Sequence, residues 1–217
     1  MQRGCMSVTR IVFSKTGYAK YISHLDLNRC MSRLIARADV PIWYTQGFNP
    51  HPYMVFSAAL PTGVCGEHEL LDIKLVRKPD YSSMLDRMNE KAPDGIAFRE
   101  IYDSENDFKN IAKAVYSIYI PNTFEEHFDA FLSLKEMPVL KKTKSKEITI
   151  DLKTEILTEK TGRNKDFTVY TAVAPCGNDK NVSPTLLIDY FKEKTGVDCA
   201  LNISRIAFLD QNAETFR

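Results

Sequence analysis

The sequence predicts an α+β protein of two tandem ferredoxin-like halves, each β-α-β-β-α-β, the second with an extra hairpin. Three observations predict it. β-rich runs and helical apolar stripes alternate in that order over the first half of the chain. The same order returns with a period of about 110 residues, which is a duplication and not a solenoid. A polar stretch, Asp103 to Asn110, lies between the copies and sets the expected domains at 1–108 and 109–217.

In the first half, Arg10 to Lys15 is a strand that Thr16-Gly17 ends as a turn. From Ser23 the period changes: Leu27, Met31, Leu34, Ile35 and Ala38 form one apolar stripe of a helix, closed by Val40-Pro41. A polar loop, Thr45 to Pro52, leads into a strand at Tyr53 to Ser57. After the Pro61-Thr62-Gly63 turn a partner strand runs from Leu70 to Val76. A second helix, Ser82 to Lys91 with Leu85 and Met88 inward, stops before Pro93-Asp94-Gly95, and a strand follows at Ile96 to Ile101.

The second half opens with a strand at Ala114 to Ile120. Its first helix starts at Thr123, which makes a capping box with Glu126, and carries Phe124, Phe128, Phe131 and Leu132 inward. β segments fill Val139 to Ala174, with room for the extra hairpin and Thr161-Gly162-Arg163-Asn164 as its tip. Ser183-Pro184 starts the last helix as N-cap and N1, Gly196 stops it, and a strand at Ile203 to Leu209 closes the order.

Composition narrows the classes of function. With 217 residues, 44% hydrophobic and 26% charged, the chain is long enough for two real cores and is not of disordered composition. A net charge of +1 gives no bulk attraction to a polyanion, so any nucleic-acid affinity has to come from a local patch. Cys5, Cys30, Cys65, Cys176 and Cys199 are far apart, odd in number and without a CxxC, and so read as reduced thiols of a cytoplasmic protein. MQRGCMSVTR has no apolar signal-like region, and no later run suggests a membrane span.

One polar constellation stands out: Ser23, His24 and Asp26 at the first helix start, with Asn49 and His51 in the following loop. Ser23 and Asp26 read first as a helix cap, Asp26 at N3 returning the bond. The backbone N–H groups there also favour an anion beside His24. In Gln46-Gly47-Phe48-Asn49-Pro50-His51-Pro52, Gly47 permits a positive φ and two prolines stiffen the backbone around His51. If His24, Asp26 and His51 converge, two chemistries fit: an acid/base pair oriented by a carboxylate, or a two-His, one-carboxylate metal site. The spacing matches no metal signature such as HExxH, and no motif calls for a cofactor or a metal. His68 and His127 lie among charged residues and read as solvated.

Arg29, Arg33 and Arg37 recur at i, i+4 and i+8 off the apolar stripe and form a basic ridge. It is either a solvated face or a track for phosphates, helped by Lys15, Lys20 and the run Lys141 to Lys146. The strand Leu71 to Leu75 lacks the aromatic pair of an RNA-recognition motif, so RNA would bind by charge and shape.

Several of these segments together resemble the radical-SAM-linked domain of unknown function, in its stand-alone form. The likeness is carried by Phe13-Ser14-Lys15-Thr16-Gly17, by Tyr21 to Arg29, by Arg37-Ala38-Asp39-Val40-Pro41 and by Gly47-Phe48-Asn49-Pro50-His51-Pro52. Leu60-Pro61-Thr62-Gly63-Val64 followed by Glu69 extends it. It departs at Cys65-Gly66, where a serine and an acidic residue are more usual, and at Tyr53, where a basic residue is. The resemblance implies a partner, a radical SAM protein encoded nearby. Fusions of that family to a ribonuclease of the E/G type point toward RNA.

Three functions follow as expectations. The first is an accessory subunit binding tRNA, rRNA or another anionic substrate through the His24/His51 surface, with Ser23, Asn49, Lys15 and the arginine ridge. The second is an enzyme, a nuclease or small-molecule lyase, using His24, His51 and Asp26. The third is a structural adaptor with no site of its own.

Overall fold

The computed structural model describes residues 7–142, 147–177, 180–197 and 202–217. It is a mixed α+β structure, every strand ladder described below is antiparallel, and the chain divides into two compact units. Unit 1 is Met1–Phe108 with Arg217, and unit 2 is Lys109–Phe216.

Unit 1 contains β1 (Val8–Lys15), α1 (His24–Arg37), β2 (Met54–Phe56), β3 (Cys65–Lys74), α2 (Tyr81–Lys91) and β4 (Ile96–Asp103). Its strands lie in the order β4-β1-β3-β2. Period-2 alternation sends Ile11, Phe13, Leu71 and Ile73 to one sheet face, where they meet Leu27, Met31, Leu34 and Ile35 of α1. All eight are buried, and each contributes roughly 1.5–3 kcal/mol of transfer free energy. The second helix turns slightly differently from its sequence reading. Asp80 caps it by accepting from Ser83 N–H, so Met84 and Met88 take the buried positions and Leu85 is only half-buried.

On the other face of the same strands, Arg10 and Asp72 stand directly opposite each other. The fully buried guanidinium donates through Nε at 2.7 Å and Nη2 at 2.8 Å, a bidentate pair. Nη2 also donates to the Asn106 carbonyl, and the Phe108 ring lies 4.2 Å from Cζ, so the segment after β4 is held to this pair.

Unit 2 contains β5 (Lys113–Pro121), α3 (Glu125–Leu132), β6 (Pro138–Lys142), β7 (Glu147–Asp151), α4 (Leu152–Glu155), β8 (Leu157–Arg163), β9 (Phe167–Pro175), α5 (Thr185–Thr195) and β10 (Asn202–Leu209). Its main strands lie in the order β10-β5-β9-β8, the counterpart of unit 1. An aromatic cluster fills its core: the Phe128 ring is 4.8 Å from Tyr170 and 5.0 Å from Phe191, both edge to face. Gly196 closes α5 at φ +68, the left-handed cap that glycine adopts without a Cβ clash.

Three readings of this half need correction. Pro184, not Ser183, is the N-cap residue of the last helix, which begins at Thr185. The Thr123–Glu126 capping box does not form, because residues Asn122–Phe124 make a 3-10 turn and α3 begins only at Glu125. Gly162 lies inside β8, not at a tip. The chain reverses after it, where the Asn164 side chain accepts from the backbone N–H groups of Asp166 and Phe167. The extra two-stranded sheet is β6–β7. Of the lysine run, residues 143–146 lie outside the described residues, as do Cys5 and Cys199; Lys141 donates to the Asn181 carbonyl.

Candidate functional site

At the start of α1 the cap forms as its sequence suggests. Ser23 Oγ accepts from Asp26 N–H at 3.1 Å and donates to the Asp26 carboxylate at 2.7 Å. Arg29 reaches the other carboxylate oxygen at 3.3 Å, an exposed pair worth little in water. His24 makes no hydrogen bond among the described residues. Its exposed imidazole packs edge to face on Phe56, the last residue of β2, with ring centres 5.2 Å apart. Near it in the chain, Tyr18, Tyr21 and Leu25 are 92%, 59% and 60% exposed. Lys20 lies over the Tyr21 ring at 5.1 Å.

The loop carrying Asn49 and His51 is a second, separate feature. It is a braced hairpin: Trp43 N–H donates to Lys74, Tyr53 N–H to Trp43 and Thr45 N–H to His51, while Tyr44 and Pro52 form a bridge. His51 N–H donates to Thr45 Oγ1 at 3.2 Å. Its Nδ1 lies 3.1 Å from both Thr45 Oγ1 and the Asn49 carbonyl. A carbonyl only accepts, so the latter contact is a hydrogen bond when the proton sits on Nδ1, which leaves Nε2 with its lone pair. At the base of the hairpin, Lys74 lies over the Tyr53 ring at 4.5 Å and the Trp43 ring at 5.8 Å.

His24 and His51 are therefore not brought together. His24 rests on Phe56, whereas the contacts of His51 are with Thr45 and Asn49 of its own hairpin. No hydrogen bond or ring contact joins His51 to His24 or Asp26 among the described residues. Nor does any group of three or more His, Cys, Asp and Glu side chains among them lie where it could hold a metal ion.

The three ridge arginines are all exposed on α1. Arg37 donates one bond to the Lys91 carbonyl at the end of α2, and Arg33 makes no polar contact among the described residues. Lys15 does not belong with them. It is 1% exposed, and its Nζ donates to the Ile22 carbonyl at 2.9 Å and the Lys20 carbonyl at 3.4 Å. Every residue of β1 after Val8 is buried, so this strand has no solvent side on which a lysine could meet an anion. Lys15 instead holds the short turn that delivers Ser23 and His24.

His68 also departs from its reading as solvated. It is half-buried, Nε2 is buried without a hydrogen-bond partner, and burial lowers its pKa below 6.5 against the opposing pull of Glu100 and Glu69. His127 is exposed beside Phe124. Sequence reasoning also missed a cavity of about 350 Å³ lined by Tyr53, Val55, Asp72 and residues of the Ser104 to Phe108 segment. Nothing in the sequence marked it, since its floor is made by strands far apart in the chain.

No helix among the described residues is long and apolar enough to cross a membrane. No curated protein gives a significant match to the chain. Among solved structures, a crystal structure of an unknown protein from Galdieria sulphuraria aligns over 92% of this chain and 98% of its own, at 10% identity and a TM-score of 0.29, a likeness too low to carry an argument. A family described as an uncharacterized protein conserved in bacteria (DUF2344) matches residues 9–184, and the chain belongs to that family.

Proposed function

We propose that the chain is a cytoplasmic accessory subunit of a radical SAM protein that binds RNA, tRNA or rRNA, through unit 1. The basic ridge carries this reading. Arg29, Arg33 and Arg37 stand one helical turn apart, about 6 Å per step, on the exposed face of α1. The opposite stripe of that helix is fully buried, so the guanidiniums are mounted on a rigid element. A chain of net charge +1 can attract a polyanion only through such a local patch. The radical SAM partner rests on the resemblance of the Tyr21 to Arg29 and Gly47 to Pro52 segments.

We read both units as ferredoxin-like domains, 1–108 and 109–217. The strand orders β4-β1-β3-β2 and β10-β5-β9-β8 support that reading, with β6–β7 as the extra hairpin. Binding is favoured over acid/base catalysis, because an imidazole pair needs its members within hydrogen-bond or single-water reach and no hydrogen bond or ring contact joins His24 to His51 among the described residues. The test is fluorescence anisotropy of labelled tRNA at low salt. Binding that weakens when the three arginines become alanine supports the reading, and no binding of tRNA or structured rRNA fragments overturns it.

A further inference from the structure

The hairpin Trp43 to Tyr53 holds an arrangement that the ridge does not need. Phe48, at its tip, is 106% exposed, the most exposed large apolar side chain described. Leaving a phenyl ring in water forgoes the transfer free energy that burial would supply. A floppy loop would let such a ring fold back onto the protein, but this one is braced by three backbone hydrogen bonds, from Trp43, Thr45 and Tyr53, by the Tyr44–Pro52 bridge and by the His51 N–H bond to Thr45 Oγ1. Gly47, immediately before it, has φ +135, a conformation that side-chain-bearing residues rarely adopt and that sets the direction of the chain entering Phe48.

Two polar side chains follow the ring in the chain, within three residues. The Asn49 side-chain amide, a donor and an acceptor in one plane, has no hydrogen-bond partner among the described residues; its backbone carbonyl is the atom that engages His51. His51 Nδ1 faces that carbonyl and Thr45, and with the proton on Nδ1 the Nε2 atom is an acceptor with no partner among the described residues. Residues 40–66 contain no Asp, Glu, Lys or Arg, so the hairpin offers a π face and directional hydrogen bonds without charge. The cations are supplied instead by α1, whose last residue, Arg37, is six positions before Trp43.

We infer that this hairpin takes one unpaired RNA base, stacked on Phe48, with its edge read by the Asn49 amide and by His51 Nε2. Unstacked bases are recognised by aromatic stacking together with hydrogen bonds to their edges, whereas a paired base has its face covered and its pairing edge occupied. An acceptor at Nε2 selects a base edge that presents an N–H. Phosphates flanking the base fall to the arginine ridge. The inference rests on the RNA reading above and adds to it which part of the RNA is held, and by what.

The test compares stem-loop RNA carrying 2-aminopurine in the loop with a blunt duplex carrying the same base paired, each titrated with wild type, Phe48→Ala, Phe48→Trp and His51→Ala. Expected are quenching of the looped base by wild type and a loss of roughly 5- to 150-fold in stem-loop affinity for Phe48→Ala, the range of one base–aromatic stack. Duplex affinity stays unchanged, and Phe48→Trp retains the quenching. Wild-type affinity of Phe48→Ala for the stem-loop overturns the hairpin inference and assigns the exposed ring to a protein contact, while leaving the RNA reading intact. An equal loss on stem-loop and duplex overturns it too. Failure of wild type to bind either RNA at low salt overturns the RNA reading itself.

Discussion

The two units share a strand order, yet the first helix of each uses its polar residues in opposite ways. On α3 two acidic side chains, Glu125 and Asp129, are tied into the fold: Lys160 donates to Glu125 at 2.9 Å and to Asp129 at 2.6 Å, Tyr170 donates to Asp129 at 2.7 Å, and Thr168 donates to Glu125 at 2.9 Å. On α1 the arginines are left to solvent, apart from a 3.3 Å pair to Asp26 and one bond to a carbonyl. Charge that is already satisfied within the fold holds a helix in place. Charge that is presented on an otherwise anchored helix is available to a partner, and in this protein that distinguishes unit 1 from unit 2.

The sharpest way to break the comparison is to disturb what holds each unit. Asp72→Ala leaves the Arg10 guanidinium buried without its carboxylate and is expected to cost about 3–5 kcal/mol, read from urea midpoints. Phe128→Ala removes the hub of unit 2's aromatic cluster and is expected to cost a similar 3–5 kcal/mol, so both units depend on a single buried residue to the same degree. A smaller effect is expected at the α1 cap, where Ser23→Ala removes the acceptor for Asp26 N–H at about 1 kcal/mol.

Acid titration separates the units by pH window. The His68 pKa is lowered from 6.5 by burial, so its contribution is full above that value and is lost as pH falls below it through the folded pKa. Glu125 is held below 4.5 by its Lys160 and Thr168 hydrogen bonds. At Asp129 burial pushes upward, but the bonds from Lys160 and Tyr170 prevail and hold it below 3.8. Their contribution is present above those values and is lost as pH falls further. Chemical denaturation from pH 7 down to pH 3 should therefore show an early loss absent in His68→Gln and a later one absent in Lys160→Met. A single loss unaffected by either substitution would contradict the assignment.

Much of this was legible in the sequence, and the exceptions have physical causes. The α1 stripe, the Ser23 cap and the Gly196 stop are local and periodic, and all three appear where pattern placed them. Lys15 deceived because a strand covered along its whole length has no alternation to betray which face is wet. The sequence leaves open whether His24, Asp26 and His51 meet, because that depends on where a loop ends up in space. Their motifs are close in sequence, but the observed contacts of His24 are with Phe56 and those of His51 with Thr45 and Asn49. Phe48 could be named from sequence only as part of a turn, since its exposure follows from the bracing by Thr45 and His51, which neither residue type announces.

The most direct measurement is the salt dependence of tRNA affinity for three proteins: wild type, the Arg29/Arg33/Arg37→Ala triple variant, and a control in which Lys135, Lys165 and Lys194, all exposed in unit 2, become alanine. If α1 is the binding face, the first triple flattens the slope of log affinity against log salt by roughly 2–3, about 0.7–0.9 per lost phosphate contact, while the control keeps the wild-type slope. Equal flattening by both triples, or by neither, would contradict it.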